Sequence, residues 1–238
     1  MGKLDGKVAI VTGGGSGIGK GIAKAFAQEG CAVVIAGRTA SRLEATAAEL
    51  RQTGAEIMAV PTDVAKEDQV LNLFQKTMER FGRLDILVNA TGAFDGGRPD
   101  EISYEAWLKV VDANLNGPFL CSREAFRIMM KSGGGHILNI GSISAQMPRE
   151  NSAPYSSTKF GIQGLTHSFA LDGRPYGIAC SILHPGNVMV ERRAGVQEPM
   201  MTVEEMGLVA LTMVTMPKGT NFYEAIVLPI DQPYLGRG

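Results

Sequence analysis

The sequence predicts an α/β fold: a doubly wound, mainly parallel sheet of seven strands with helices on both faces. Three observations predict it. Short apolar runs of strand length recur along the chain, continuous rather than alternating, as strands buried on both faces require. Helical stretches of about 10–15 residues separate them, long enough for the crossover that joins parallel strands. Unusual polar or glycine residues follow the ends of these runs: Thr12-Gly13, Gly37-Arg38, Asp63, Asn89, Ser142 and Pro185-Gly186. An open parallel sheet binds its ligands at that edge, beyond the C-terminal ends of its strands.

Each element follows in order. Val8-Ala9-Ile10-Val11 reads as the first strand, and Ile18 to about Glu29 as the first helix. Ala32 to Ala36 is the next strand, followed by a helix over roughly 40–53. Ile57 to Val60 leads to a helix over about 67–80, and Leu84 to Val88 forms a fourth strand. A long helical region over about 103–131 has a break near Asn114. Ile137 to Ile140 is a strand, Tyr155 to Leu171 a helix, and Ile178 to Leu183 a strand. A helix starts near Val203, where Thr202 and Glu205 have the spacing of a capping box. Ala225 to Leu228 is the last strand. Right-handed crossovers are expected throughout.

Bulk properties narrow the classes. The chain has 238 residues, a length that one α/β domain can reach without splitting. With 45% apolar and 20% charged residues it can build a sizeable core. Its net charge of −1 gives no electrostatic case for nucleic acid or an anionic membrane as partner. No apolar run reaches the length of a membrane span. The strand pattern starts within the first residues, and Leu235–Gly238 match no prenylation or retention signal, so a soluble cytoplasmic protein is expected. Cys31, Cys121 and Cys180 are widely spaced and read as buried thiols. His136, His167 and His184 have no metal-ligand spacing, and no metal site is expected.

The loop after the first strand holds five glycines in the seven positions from Gly13 to Gly19. Glycine raises the entropic cost of ordering, so this density needs a reason. Close approach of backbone to a phosphate at a helix N-terminus supplies one. The second strand ends in Gly37-Arg38, where a dinucleotide fold for NAD places an acid to bind the ribose 2′-hydroxyl. Arg38, with Arg42 one helical turn on, suits a 2′-phosphate instead, so NADP(H) is favoured over NAD(H).

Tyr155 and Lys159 are four residues apart, on one face of the expected helix. A phenol is a weak base near neutral pH, and a neighbouring ammonium favours its phenolate. Ser142 ends a strand at the mouth of the sheet, where its hydroxyl could bond a carbonyl oxygen. Asn114 stands mid-helix, where asparagine competes for backbone bonds.

Taken together, Thr12-Gly13-x-x-x-Gly17-x-Gly19, Asn114, Ser142 and Tyr155-x-x-x-Lys159 resemble the short-chain dehydrogenase/reductase family, and the likeness runs from Lys3 to about Ile230. It implies a Rossmann-type fold, a single dinucleotide-binding oxidoreductase domain over 1–238, and hydride transfer between a nicotinamide and a carbonyl or alcohol. The loop residues Thr12, Gly13, Gly15, Ser16, Gly17, Ile18 and Gly19 would hold the pyrophosphate. Arg38, Asp63 and Val64 would hold the adenosine. Asn89 and Gly92, in the turn after the fourth strand, and Pro185, Gly186 and Val188, the last near the nicotinamide carboxamide, would also bind the cofactor, together with Tyr155 and Lys159. Tyr155 would be the general acid/base, Lys159 its partner and a ribose ligand, Ser142 the carbonyl donor, and Asn114 part of a proton relay.

Two departures stand out. Ala90-Thr91 replaces the middle of the family's Asn-Asn-Ala-Gly turn, and Val190 stands where a threonine usually bonds the carboxamide. A substrate lid is expected at about 189–202, with Phe94, Gln146, Met147 and Asn151 completing the pocket. The helix carrying Arg123, Arg127 and Lys131 usually packs against another subunit in this family, which implies a homo-oligomer, a tetramer or else a dimer. That basic stripe would also suit a 3-oxoacyl-carrier-protein reductase. A cofactor-binding sensor without turnover is the alternative from another class.

Overall fold

The computed structural model describes residues 2–234 except the side chain of Arg192; Leu235–Gly238 lie outside the described residues. Its strands are β1 (Val8–Thr12), β2 (Ala32–Gly37), β3 (Ile57–Pro61), β4 (Ile86–Asn89), β5 (Gly135–Ile140), β6 (Ile178–Pro185) and β7 (Glu224–Val227). They form one seven-stranded sheet in the order β3-β2-β1-β4-β5-β6-β7. Every strand pair is parallel. The fold is therefore the Rossmann-type sheet that the sequence predicts. The order reverses between β1 and β4, where Thr12 and Asn89 are register partners. A ligand crevice belongs at that reversal.

The helices are α1 (Gly17–Gln28), α2 (Ala40–Arg51), α3 (Glu67–Phe81), α4 (Tyr104–Val111), α5 (Gly117–Ser132), α6 (Ala153–Gly173) and α7 (Val203–Val214). Strand alternation divides the core in two. Ala9, Val11, Val33 and Ile35 face Phe26 of α1, Leu43 of α2 and Leu211 of α7. Ile10, Val34 and Leu87 face Leu73 of α3 and Met129 of α5. Both sides of the central strands are thus buried in apolar contact, which explains why the strands read as continuous apolar runs.

The expected break near Asn114 is a π turn over Asp112–Asn116 between α4 and α5. The capping box on α7 is present, with Thr202 Oγ1 accepting from Glu205 N at 3.1 Å and Glu205 Oε2 accepting from Thr202 N at 2.6 Å. Helices α1 and α7 meet through glycine. A Cβ on Gly21 would lie 2.2 Å from the Val203 carbonyl oxygen, and one on Gly207 would lie 2.6 Å from that of Gly21. No helix among the described residues is long and apolar enough to cross a membrane.

His136 of β5 is buried, with Nε2 2.6 Å from Ser181 Oγ. That hydroxyl donates to Asn221 Oδ1 at 2.8 Å, so the ring is the donor to it and the neutral Nε2–H tautomer fits. Burial pushes the His136 pKa down to about 4. An unfolded histidine titrates near 6.5, so its contribution to stability is complete above about pH 6.5 and is lost as pH falls towards 4. The shift corresponds to about 3 kcal/mol. Urea unfolding from pH 7.5 to 4 should show this loss, and His136→Asn should remove that part of the slope. Equal slopes in the two proteins would refute the assignment. All three cysteines are buried, and burial pushes each thiol up to about 12, which makes them poor nucleophiles at neutral pH.

Candidate active site

A cavity of about 770 Å³ crosses the C-terminal ends of the strands. The glycine loop, Arg38 and Asp63 line one part of it, and Ser142, Tyr155 and Phe94 line another. Gly92, Pro185, Gly186 and Val188 also border it.

Backbone crowding explains the glycine loop. Gly13 has φ +68, and a Cβ there would lie 2.7 Å from the Ala90 carbonyl oxygen. A Cβ on Gly19 would lie 2.4 Å from the Gly13 carbonyl oxygen. The turn brings Gly15, Ser16, Gly17 and Ile18 to the cavity wall at the start of α1, whose N-cap Ser16 makes no side-chain cap bond. First-turn N–H groups without a side-chain cap, at the positive end of a helix dipole, fit a pyrophosphate.

Thr12 and Asn89 lie behind that wall rather than on it. Thr12 Oγ1 accepts from Ala90 N at 3.1 Å and Thr91 N at 3.3 Å, pinning the segment after β4 to β1. Asn89 Nδ2 donates to Asn139 Oδ1 at 2.8 Å and to Ser122 Oγ at 3.0 Å. Asn139 Nδ2 in turn donates to Thr166 Oγ1 at 2.9 Å. This buried chain ties β4 to β5 and α6, so both residues shape the wall without lining it.

Arg38 is exposed on the wall, with no carboxylate within 4.0 Å among the described residues. Arg42 pairs with Glu191 of the 189–202 segment at 3.3 Å, both exposed. Asp63 Oδ1 accepts from Ala65 N at 3.1 Å, and Val64 is buried beside it on the wall.

Tyr155 and Lys159 share one face of α6 and both line the cavity. Lys159 is buried, donates from Nζ to the Ile140 carbonyl at 2.8 Å, and stands 5.5 Å from the centre of the Tyr155 ring. Phe94 also packs on the Tyr155 ring, with centroids 5.2 Å apart. Ser142 Oγ accepts from Ser144 N at 3.1 Å. Asn114 is buried off the cavity wall. Its Oδ1 accepts from Ala93 N at 2.7 Å, and its Nδ2 donates to Ala93 O at 2.9 Å and to Thr158 Oγ1 at 3.1 Å. The π turn thus holds the Gly92–Phe94 segment against the helix that carries Tyr155.

Of the expected pocket residues, Phe94 lines the cavity, whereas Gln146, Met147 and Asn151 do not. Gln146 is engaged with Glu224 at 3.4 Å and with Tyr234. Met147 is exposed. Asn151 adopts φ +55, and its carbonyl accepts from Gly97 N at 3.0 Å. The same loop presents Arg149, Glu150 and Ser152 to the cavity instead.

His184 belongs to the site although its spacing in the sequence does not mark it. It is fully buried behind Ser142, with Nδ1 3.2 Å from Ser142 N and 2.9 Å from Ser142 O. Its Nε2 lies 3.3 Å from Glu224 Oε1. Burial holds its pKa below the usual value, against the opposing pull of the Ser142 backbone bond and Glu224. The register Ile140↔Leu183 puts Gly141 beside His184, a neighbour relation that strand order makes predictable.

The segment at 189–202 is held at its ends by a Val188↔Met201 bridge, with Met189 N donating to Met201 O at 2.8 Å. Met201 packs with Val188 and Met206. Val190 borders the cavity and sits over the loop, 3.2 Å from where a Cβ on Gly17 would lie. On α5, Arg123 pairs with Glu67 at 2.6 Å and with Glu124 at 2.9 Å, and Arg127 pairs with Glu124 at 2.7 Å. Two of the three cations of the basic stripe are therefore paired within the chain, sharing Glu124, and Lys131 is in no ion pair among the described residues.

A family model described as short chain dehydrogenase matches residues 7–200. An uncharacterized oxidoreductase of Thermotoga maritima is 42% identical over 183 residues, covering 77% of this chain and 72% of that protein. Glucose 1-dehydrogenase 2 of Bacillus subtilis is 38% identical over 192 residues, covering 79% of this chain and 74% of its own. The solved structure of an alcohol dehydrogenase from Thermococcus sibiricus complexed with 5-hydroxy-NADP superposes with a TM-score of 0.87 at 27% identity, covering 96% of this chain and 98% of that one. With the sheet order, the glycine loop and the Tyr155–Lys159 pair on one cavity, these matches place the chain in the short-chain dehydrogenase family of NAD(P)-dependent oxidoreductases.

Proposed function

We propose that this enzyme is an NADP(H)-dependent carbonyl reductase or alcohol dehydrogenase in which Tyr155 is the general acid/base. The observation that carries the reading is the shared cavity wall of Tyr155, Lys159 and Ser142 at the end of the sheet. The nicotinamide, when bound, supplies the hydride in reduction and accepts it in oxidation. Tyr155 donates its phenolic proton to the carbonyl oxygen in reduction and takes it back in oxidation. Lys159, fixed by the Ile140 carbonyl, favours the phenolate and holds the nicotinamide ribose. Ser142 polarises the carbonyl, with His184 holding its backbone from behind. Because the Asn114 side chain is taken up by Ala93 and Thr158, its part in a proton relay falls to its main chain.

The glycine loop holds the pyrophosphate and Asp63 the adenine. Arg38, with no acid beside it, favours a 2′-phosphate, and the NADP analogue in the Thermococcus sibiricus enzyme agrees with that choice. Residues 189–202 act as the lid of a single domain. The enzyme is a cytoplasmic homo-oligomer, a tetramer or a dimer, taking a small-molecule substrate. An acyl-carrier partner is disfavoured, since Arg123 and Arg127 are already paired.

NADPH and NADH oxidation against a panel of ketones, diketones, quinones and 3-oxoacyl thioesters tests this. NADPH should be preferred, and Arg38→Ala should lower kcat/KM for NADPH about 10- to 100-fold relative to NADH, the worth of one charge-assisted bond to phosphate. A wild-type ratio near one rejects the NADP(H) assignment. Cofactor binding with no turnover anywhere on the panel favours the sensor alternative.

A further inference from the structure

Two guanidiniums on the cavity wall have no part in the hydride-transfer scheme. Arg149, in the loop between β5 and α6, donates from Nη2 to Asn187 Oδ1 at 3.1 Å. Arg193, in the 189–202 segment, donates from Nη1 to the same oxygen at 2.9 Å. All three residues line the cavity. Asn187 is buried and directly follows Pro185-Gly186 at the end of β6.

Sharing one oxygen keeps the two nitrogens within about 6 Å of each other, where like charges repel. A single carboxylate answers them. Glu198 accepts from Arg193 Nη2 at 2.6 Å and from Asn187 Nδ2 at 2.9 Å. Arg149 has no carboxylate within 4.0 Å among the described residues. Glu150, next to it on the wall, is exposed and unpaired among the described residues. Two cationic forks from different segments thus converge on a buried neutral amide, and the exposed Arg149 is in no ion pair among the described residues. Paired guanidiniums in this arrangement match the oxygens of a carboxylate or phosphate.

We propose that Arg149 and Arg193 form an anion subsite, and that the substrate is a carbonyl or alcohol compound carrying an acidic group. The substrate class rests on the oxidoreductase reading above; the subsite itself does not. The loop arginine supplies the guanidinium that no carboxylate yet pairs with. The arginine from 189–202 brings that segment onto the same anion, beside the loop it already meets at Asn187.

The test compares three aldehydes with NADPH: 4-carboxybenzaldehyde, 4-formylphenyl phosphate and the neutral methyl 4-formylbenzoate. At least one anionic aldehyde should exceed the ester in kcat/KM by about 10-fold or more, through KM. The two anionic arms separate carboxylate from phosphate recognition. Arg149→Gln should bring the anion-to-ester ratio close to one, and Arg149→Lys should restore part of it. Glu150→Gln should raise the ratio, an outcome that damage to the fold does not produce. Equal kcat/KM for all three aldehydes overturns the proposal. So does a loss of NADPH affinity in Arg149→Gln with the ratio unmoved, which would assign the arginines to the cofactor. Calorimetry of the anionic aldehydes against the complex with NADP⁺ keeps the two readings apart. Anion binding with no turnover of either anionic aldehyde would overturn the acidic substrate class and keep the subsite. Absence of anion binding at millimolar concentration removes the subsite, whatever the ester does.

Discussion

Tyr155→Phe should lower kcat by about 10³-fold while NADPH still binds, because general acid–base catalysis contributes on that scale and the substitution removes only the hydroxyl. The ring keeps its packing on Phe94, 5.2 Å away. Lys159 keeps its place through the Ile140 carbonyl, so the proposed ribose site should not be disturbed by loss of the phenol. The loss should therefore fall on kcat and leave the NADPH dissociation constant within about twofold, a split that damage to the fold would not give. Single-turnover rates and a fluorescence titration with NADPH measure the two halves. Activity within tenfold of the parent would mean that the proton comes from elsewhere, and Tyr155 would lose its role.

The parts of this enzyme that depend on periodicity are legible in its sequence alone. Continuous apolar strands, crossover helices and polar residues at strand ends give the sheet and its ligand edge, and all seven strands pair in parallel. Positions relative to a wall are less legible. Thr12 and Asn89 sit at the right strand ends, but their side chains turn inward to partners from other strands, which spacing along one strand does not reveal. The turn at Asn114 reads as a helix defect from propensity, yet the partners of its side chain, Ala93 and Thr158, are both distant in sequence. The loop after β5 is the least legible. Whether Gln146 or Arg149 faces the cavity depends on Glu224, Tyr234 and Asn187, which long-range folding brings there. Local sequence carries no record of those contacts.

Gly19→Ala should weaken NADPH binding by about 100-fold and lower Tm by roughly 5 °C, effects that correspond to about 2–3 kcal/mol of overpacking in a chain of this length. Helix propensity points the other way, since alanine is favoured over glycine by about 1 kcal/mol inside a helix. Contact decides the sign. The new Cβ would lie 2.4 Å from the Gly13 carbonyl oxygen, 2.7 Å from its carbon and 3.1 Å from Gly14 N, all backbone atoms that cannot swing aside. Gly13 cannot retreat, because it is itself pressed against the Ala90 carbonyl at the end of β4. Helix α1 cannot retreat either, because Gly21 holds it against Val203 and Gly207 of α7. The strain must therefore open the loop whose N–H groups would form the proposed phosphate cradle. Gly15→Ala is the control, since its nearest contact would be Leu43 Cδ2 at 3.3 Å, the far end of a side chain that can move. Its Tm should fall less than that of Gly19→Ala. Equal losses of Tm in the two variants, or normal NADPH affinity in Gly19→Ala, would show that the loop yields where the packing says it cannot.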